Sequence, residues 1–119
     1  MSIELSIAYV EFGGNTGDGR YFYGFSPDTF FASGKSVELE FKLGSWVGPE
    51  FEIVDIVATD DHAIADSKVR SDSRSATVTD QIDPQRRELI NVSVVVRDSA
   101  RNGALINCDP QVLNSPDPW

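Results

Sequence analysis

SVELEFKL, residues 36–43, decides the fold, because every second residue of this stretch is apolar. The apolar side chains alternate with serine, glutamate and lysine. Successive side chains of a β-strand point to opposite faces of a sheet, so one face of this stretch is apolar and the other is polar. The pattern predicts a strand with one face in a core and the other in water.

The same two-residue alternation recurs on both sides of this stretch. It runs from Ile3 to Tyr9 and from Ile90 to Val96, and it predicts a strand in each segment. In Glu50–Ala58 the alternation is interrupted, which a β-bulge or two partly covered faces would explain, and we expect a strand there as well. The shorter candidate strands are Arg20–Phe25, Phe30–Ala32, Ser75–Thr79 and Gly103–Asn107.

Turn-forming residues separate the predicted strands. Residues 13–19 are rich in glycine, which supplies the positive φ angles of tight loops. The pair Asn102-Gly103 is a hairpin signal, and it predicts antiparallel pairing of Val92–Arg97 with Ala104–Asn107. The segment Asp61–Arg70 lacks regular helical spacing, so we expect a loop there.

Short strands with close turn signals and little or no helix are typical of all-β proteins. We predict an antiparallel immunoglobulin-like (Greek-key) β-sandwich of about 7 to 8 strands. A chain of 119 residues has the length of one domain, so we expect a single β-sandwich domain over 1–119. Residues 109–119 contain three prolines, which cannot donate to a sheet, and predict an extended Pro-rich tail on the surface.

The composition bears on partners and on compartment. The chain carries 19 acidic and 10 basic residues, a formal charge of −9, which repels nucleic-acid phosphates and anionic membranes. We therefore expect no nucleic-acid partner and no membrane partner. The single cysteine, Cys108, cannot form an internal disulfide, and no secretory signal or long apolar stretch is present, so we expect a cytoplasmic protein.

Catalytic chemistry has little support in the sequence. The only histidine, His62, could act as the general base of a small hydrolase. No Gly-x-Ser-x-Gly motif accompanies it, and Cys108 has no basic neighbour in sequence that would lower its pKa. We therefore favour a protein that is not an enzyme.

Metal binding is limited to calcium by the residues present. One histidine and one cysteine cannot build a copper or structural zinc site, and we expect no cofactor. Calcium needs only oxygen ligands, and Asp60, Asp61 and Asp66 are the candidate cluster. A second candidate cluster is Asn15, Asp18 and Asp28. Aspartates also serve turn geometry, which is the simpler explanation for both clusters.

Aromatic residues outside the regular alternation are the candidates for binding. Residues 21–23 are three consecutive aromatics, so at least one of them must point away from the buried face. Trp46 lies in a glycine-rich segment, and Trp119 is the last residue. We predict a binding role for Trp46, Tyr21, Tyr23 and Trp119, because exposed aromatics are typical of interfaces. Alternatively, Trp46 closes one end of the sandwich and the tail covers Phe22.

The C-terminal residues 108–118 suggest a family. Asp109-Pro110-Gln111, followed by Asn114 and Pro116 after a valine-rich strand and a turn, resembles the ending of the DP-EP family of uncharacterised bacterial proteins. The resemblance implies an immunoglobulin-like β-sandwich and a bacterial cytoplasmic origin. It implies no catalytic residues.

These observations favour a non-catalytic binding or interaction module. Its partner would be another protein or a second copy of the chain, held through an exposed sheet edge. The alternative is a calcium-binding or carbohydrate-binding sandwich that uses the aspartate cluster or the region from Asn15 to Asp28. A small hydrolase that uses His62 is the second alternative.

Overall fold

A computed structural model describes residues 1–59 and 63–119, and this part of the chain contains strands and no helix. No helix in it could span a bilayer. The eleven strands are β1 (Ser2–Tyr9), β2 (Tyr21–Ser26), β3 (Thr29–Ser33), β4 (Ser36–Leu43), β5 (Phe51–Ala58), β6 (Ile64–Val69), β7 (Ser75–Gln81), β8 (Glu88–Ile90), β9 (Val92–Asp98), β10 (Ala104–Cys108) and β11 (Gln111–Ser115). The all-β prediction is confirmed for the described residues.

The first sheet has five strands in the order β2-β1-β4-β7-β6. The pairing of β1 with β4 is parallel, and the other pairings are antiparallel. The SVELEFKL segment forms β4 in the middle of this sheet, with Leu39 and Phe41 fully buried. The alternation that predicted a half-buried strand is therefore confirmed.

The second layer is built on one long hairpin. Strand β9 pairs with β10 and β8 pairs with β11, both antiparallel. The register is the same in both pairings, since Cys108 faces Val94 and Val112 faces Ile90 four residues further along each strand. Asn91 on one arm and residues 109–110 on the other interrupt the hairpin without shifting it. The layer therefore comprises two three-stranded sheets, β10-β9-β5 and β3-β11-β8, that share this hairpin.

The turn of the long hairpin matches its prediction. Asn102 and Gly103 both have positive φ, and β10 pairs antiparallel with β9 as expected. The interrupted alternation of residues 50–58 is a β-bulge, since the register against β9 shifts between Ile53 and Asp55. The core is continuous between the layers, which gives the molecule a sandwich-like form.

Two segments differ from the sequence-based expectations. Residues 61–70 were expected to form a loop, but Ile64–Val69 is strand β6 at the edge of the first sheet. Its side chains are half-buried or exposed, and its register shifts around Asp66, so it shows no clear alternation. Strand β6 and the interruptions of the long hairpin raise the number of strands above the 7 to 8 expected.

The C-terminal segment is the second difference. Residues 109–119 were expected to lie extended on the surface, but Gln111–Ser115 forms β11 in the middle of a three-stranded sheet. Val112 and Asn114 are fully buried. The prolines at 110, 116 and 118 flank this strand on both sides, so its own backbone N–H groups remain available to the ladder.

A buried polar cluster links the two layers at Asp98. The Tyr21 hydroxyl donates to Asp98 Oδ2 at 2.7 Å, Arg101 Nη1 donates to the same oxygen at 2.9 Å, and the Ala100 N–H donates to Oδ1 at 3.0 Å. Burial opposes ionisation, but these hydrogen bonds outweigh it and lower the pKa of Asp98. Burial, followed by the hydrogen bond to Asp98, raises the pKa of Tyr21 to about 12.

A second buried pair joins the layers at Asp80 on β7 and Asn114 on β11. Asn114 Nδ2 donates to Asp80 Oδ1 at 2.6 Å, and both residues are fully buried. The remaining side-chain oxygens, Asp80 Oδ2 and Asn114 Oδ1, have no hydrogen-bond partner among the described residues. Burial raises the pKa of Asp80 to about 6; the hydrogen bond from Asn114 opposes this rise, and the charge of Glu88 adds to it.

Candidate functional site

The outer face of β1 and β2 carries a groove between two exposed aromatic side chains. Phe22 is 55% exposed and Trp46 is 67% exposed. The groove has a volume of about 520 Å³ and is mainly apolar. Glu4, Ser6 and Gly24 also line it. We call this surface the aromatic groove.

The register of β1 and β2 sets the floor of the groove. Ser6 pairs with Gly24 and Ala8 pairs with Phe22, and these residues alternate with buried ones, so they point outward. A Cβ added at Gly24 would meet no atom within 4 Å. The floor is therefore low and open between the two rings.

Trp46 is fixed in place although its ring is exposed. Its Nε1 donates to Ser6 Oγ at 3.1 Å. The ring also lies against Gly44, where an added Cβ would come within 2.8 Å of the Trp46 ring carbons. Gly44 thus leaves the space that the indole occupies. Trp46 does not close one end of the sandwich, and Phe22 is not covered by the C-terminal segment, since both rings are exposed.

The outer face of the second layer carries a row of apolar side chains. Leu113 on β11 pairs with Phe31 on β3 and with Leu89 on β8, so the three lie side by side across the sheet. Phe31 is 57% exposed and Leu89 is 51% exposed. The Trp119 ring packs edge-on against Phe31, with ring centroids 5.4 Å apart, and is 47% exposed. We call Phe31, Leu113, Leu89 and Trp119 the apolar row.

Trp119 is held by contacts on several sides. Its Nε1 donates to the Ala32 carbonyl oxygen at 2.8 Å. The Arg87 guanidinium lies 4.5 Å from the centroid of the Trp119 ring, in a cation–π contact. Arg87 also donates to Ser115 Oγ at 3.1 Å and to the Pro118 carbonyl oxygen at 3.3 Å. These contacts hold the indole in one orientation.

A cleft of about 640 Å³ with a mixed polar and apolar lining lies beside the apolar row, where the long hairpin is interrupted, and we call it the polar cleft for the hydrogen-bonding groups in it. Its lining includes Leu89, Asn91, Ser93, Asp109 and Gln111. The Ser93 hydroxyl donates to Asp109 Oδ1. These groups can form hydrogen bonds to a ligand or to water.

The four aromatic residues predicted to bind do not lie together. Tyr21 is buried and bonded to Asp98, so we leave it out of any binding surface. Tyr23 is half-buried, with its ring edge-on to Phe25, and it lines the polar cleft. Trp46 and Trp119 are exposed, but they lie on different layers. The structure thus separates them into two surfaces.

The predicted metal ligands are only partly described. Asp60, Asp61 and His62 lie outside the described residues. Asp66 is exposed on β6, where its φ is 55°. Within 1–59 and 63–119, no group of three histidine, cysteine, aspartate or glutamate side chains is placed to hold a metal ion. The Asn15 side chain, from the second candidate cluster, instead bonds to both the N–H and the carbonyl oxygen of Tyr23 at 2.9 Å.

The sequence reasoning missed Phe31 and Leu89 as surface residues. Each is adjacent in sequence to an apolar residue that is buried, Phe30 and Ile90 respectively. Two consecutive apolar residues in a strand place one of them on the outer face. That doublet was the available signal in both strands.

The comparisons with known proteins add no family. No protein-family model matches the chain, and no curated protein shows significant similarity to it. The similarity of residues 108–118 to the DP-EP family therefore stays a prediction from the sequence.

Proposed function

We propose that this protein is a non-catalytic interaction module that binds protein through the apolar row. The observation that carries the proposal is the side-by-side placement of Phe31, Leu113 and Leu89, extended by Trp119. Tryptophan and arginine are enriched among the residues that dominate binding energy at protein interfaces. Here Trp119 and Arg87 are already in contact, so little side-chain freedom remains to be lost on binding.

We propose a second copy of the chain as the partner. Arg87 lies at one end of the face that carries the apolar row. Asp109 lies beside Ser93, which is six residues after Arg87 along the same hairpin arm. At about 3.3 Å per residue this separation is about 20 Å. A twofold axis through the face would place the basic end of each copy against the acidic end of the other. This arrangement offsets the repulsion between two chains that each carry a charge of −9.

We favour the apolar row over a sheet edge as the binding surface, because backbone groups of two edge strands, β2 and β5, are already hydrogen-bonded. The Asn15 side chain occupies the backbone groups of Tyr23 on β2. On β5, the Ile53 N–H donates to the Ser73 carbonyl oxygen at 2.8 Å. These contacts satisfy backbone groups that an added strand would need.

Sedimentation velocity over micromolar to millimolar protein tests the proposal. We expect a concentration-dependent dimer for the wild type and a monomer for Leu89→Asp, which places a charge in the apolar row. Leu105→Asp is the matched control, because Leu105 is also exposed on the second layer. It pairs with Arg97, which lies eight residues along the hairpin arm from Leu89. A wild type that stays monomeric at millimolar concentration, or equal effects of the two variants, would overturn the proposed dimer.

A carbohydrate-binding sandwich is the second candidate function. The polar cleft favours it, because Asn91 and Gln111 offer both donors and acceptors beside Leu89. The calcium-binding form of this candidate depends on Asp60 and Asp61, which are not described, and is addressed by a melting experiment below.

We propose that the fold is an immunoglobulin-like Greek-key sandwich, as the DP-EP resemblance also implies. The support is a five-stranded sheet packed on a layer built from one long hairpin. A cytoplasmic location and a bacterial origin are part of the same proposal. They rest on the single cysteine and on residues 108–118.

A further inference from the structure

We propose that the aromatic groove binds the arginine side chains of a basic protein segment. The groove lies on the first sheet, whereas the apolar row lies on the second layer, so this site is separate from the proposed dimer face. A protein that dimerises through one face could use the other to hold a different partner.

The walls of the groove suit a flat cation. Phe22 and Trp46 both line it and are both exposed. The face of an aromatic ring is electronegative and attracts cations, and a guanidinium group stacks well on it because it is planar. The hydrogen bond from Trp46 Nε1 to Ser6 fixes the indole, so the ring is oriented before the cation arrives.

The floor of the groove leaves room for the bound group. Gly24 lies inside a strand, where glycine weakens the strand and often marks a close approach by a ligand or another chain. The space above Gly24 is open, since an added Cβ would meet nothing within 4 Å. Ser6 and Ala8 complete a floor of small side chains. A long side chain could therefore lie flat between the two rings.

The charge of the groove favours a positively charged ligand. Glu4 lines the groove and forms no ion pair with the described part of the chain. The formal charge of the whole chain is −9, which attracts basic partners and repels anionic ones. Lys42 pairs with Glu4 in register on β4 and faces the same side, so it partly opposes a bound cation.

A carbohydrate fits the groove less well than an arginine. Its polar side chains are Glu4, Ser6 and Ser26, and Ser6 Oγ already accepts a hydrogen bond from Trp46. A sugar presents hydroxyl groups that each require a partner when buried. A guanidinium can donate two hydrogen bonds to the Glu4 carboxylate and stack on the aromatic rings, while its other N–H groups stay in contact with water in the open groove.

The experiment is an NMR titration with an acetylated and amidated tetra-arginine peptide. We expect shifts confined to the amides of β1 and β2 and to the Trp46 indole. The tetra-citrulline peptide has the same shape without the charge, and we expect it to bind at least about 10-fold more weakly. Trp46→Ala should abolish the site-specific shifts, with folding checked by circular dichroism.

Two matched glutamate variants separate the site from the general acidity of the protein. Glu4→Gln and Glu38→Gln remove the same charge, but only Glu4 lines the groove, while Glu38 is exposed on β4. We expect Glu4→Gln to weaken binding about 3- to 10-fold and Glu38→Gln to change it less than about 2-fold. Lys42→Gln should strengthen binding.

Several results would overturn the site. These are equal binding of the arginine and citrulline peptides, equal effects of the two glutamate variants, or shifts spread over the whole acidic surface. Binding of maltotetraose in place of the arginine peptide would assign the groove to a sugar instead. Trp46→Ala should leave sedimentation unchanged, so failure of the groove and failure of the dimer face are distinguishable.

Discussion

Replacement of Asp80 by Asn is expected to stabilise the folded protein at neutral pH. In the wild type, Asp80 Oδ2 and Asn114 Oδ1 are buried and form no hydrogen bond within residues 1–59 and 63–119. An asparagine at position 80 could accept from Asn114 Nδ2 through its oxygen and donate to Asn114 Oδ1 through its nitrogen. The substitution would also remove a buried negative charge that no positive group neutralises in this pair.

The magnitude follows from the pKa of Asp80. Burial raises this pKa from its ordinary value of 3.8 to about 6. The folded state therefore holds the proton more tightly than the unfolded state. The stabilising contribution of the protonated form is fully present below pH 3.8 and is lost as the pH rises to about 6. A difference of about two pH units corresponds to about 3 kcal/mol of unfolding free energy.

Urea denaturation between pH 4 and pH 8 measures this effect. Wild type and Asp80→Asn should have similar stability near pH 4, and the variant should be more stable by about 2 to 3 kcal/mol above pH 7. Asn114→Asp is a useful contrast, because a second buried carboxyl should destabilise the protein at neutral pH. If Asp80→Asn is less stable than the wild type at pH 7.5, the reasoning from the unpartnered oxygens is wrong.

Two further predictions concern other charged groups. Asp98→Asn should destabilise the protein by about 3 kcal/mol at neutral pH, because Tyr21 and Arg101 lose a charged acceptor. The pKa of Asp98 is lowered on folding, so the stability that its carboxylate contributes to the wild type is lost as the pH falls through the acidic range. Denaturation of both proteins at pH 7 and at pH 3 checks this, and an equal difference at the two pH values would contradict it. Millimolar calcium should leave the melting temperature unchanged relative to chelator, whereas a rise would support the calcium-binding alternative.

Most of the fold prediction depended on the two-residue alternation of apolar and polar residues. Strands β1, β4 and β9 bury one face each, and their two-residue pattern is therefore visible in the sequence. Strand β6 lies at a sheet edge with no fully buried residue, so burial imposed no pattern on it. Strand β11 was not predicted because prolines flank it, although a proline removes the backbone N–H donor only at its own position.

The candidate surfaces were harder to predict, because they depend on which face of a strand turns outward. The exposure of Trp46 and Trp119 agrees with the expectation for aromatics outside the alternation. Among residues 21–23, Phe22 faces outward and Tyr21 faces inward, and that choice is set by the packing of β2 on the second layer. The alignment of Phe31 with Leu89 requires the strand order, which local sequence does not contain.

The long hairpin also has a consequence for the folding pathway. Its two arms are joined by the short segment 99–103, so closing that loop costs little chain entropy. We expect the two arms to pair early in folding, before segments that are distant in sequence pack against them. Strands β5 and β3 then dock at opposite ends of this nucleus, one along β9 and the other along β11. The segment closest to the C-terminus would thus act as the template on which earlier parts of the chain assemble.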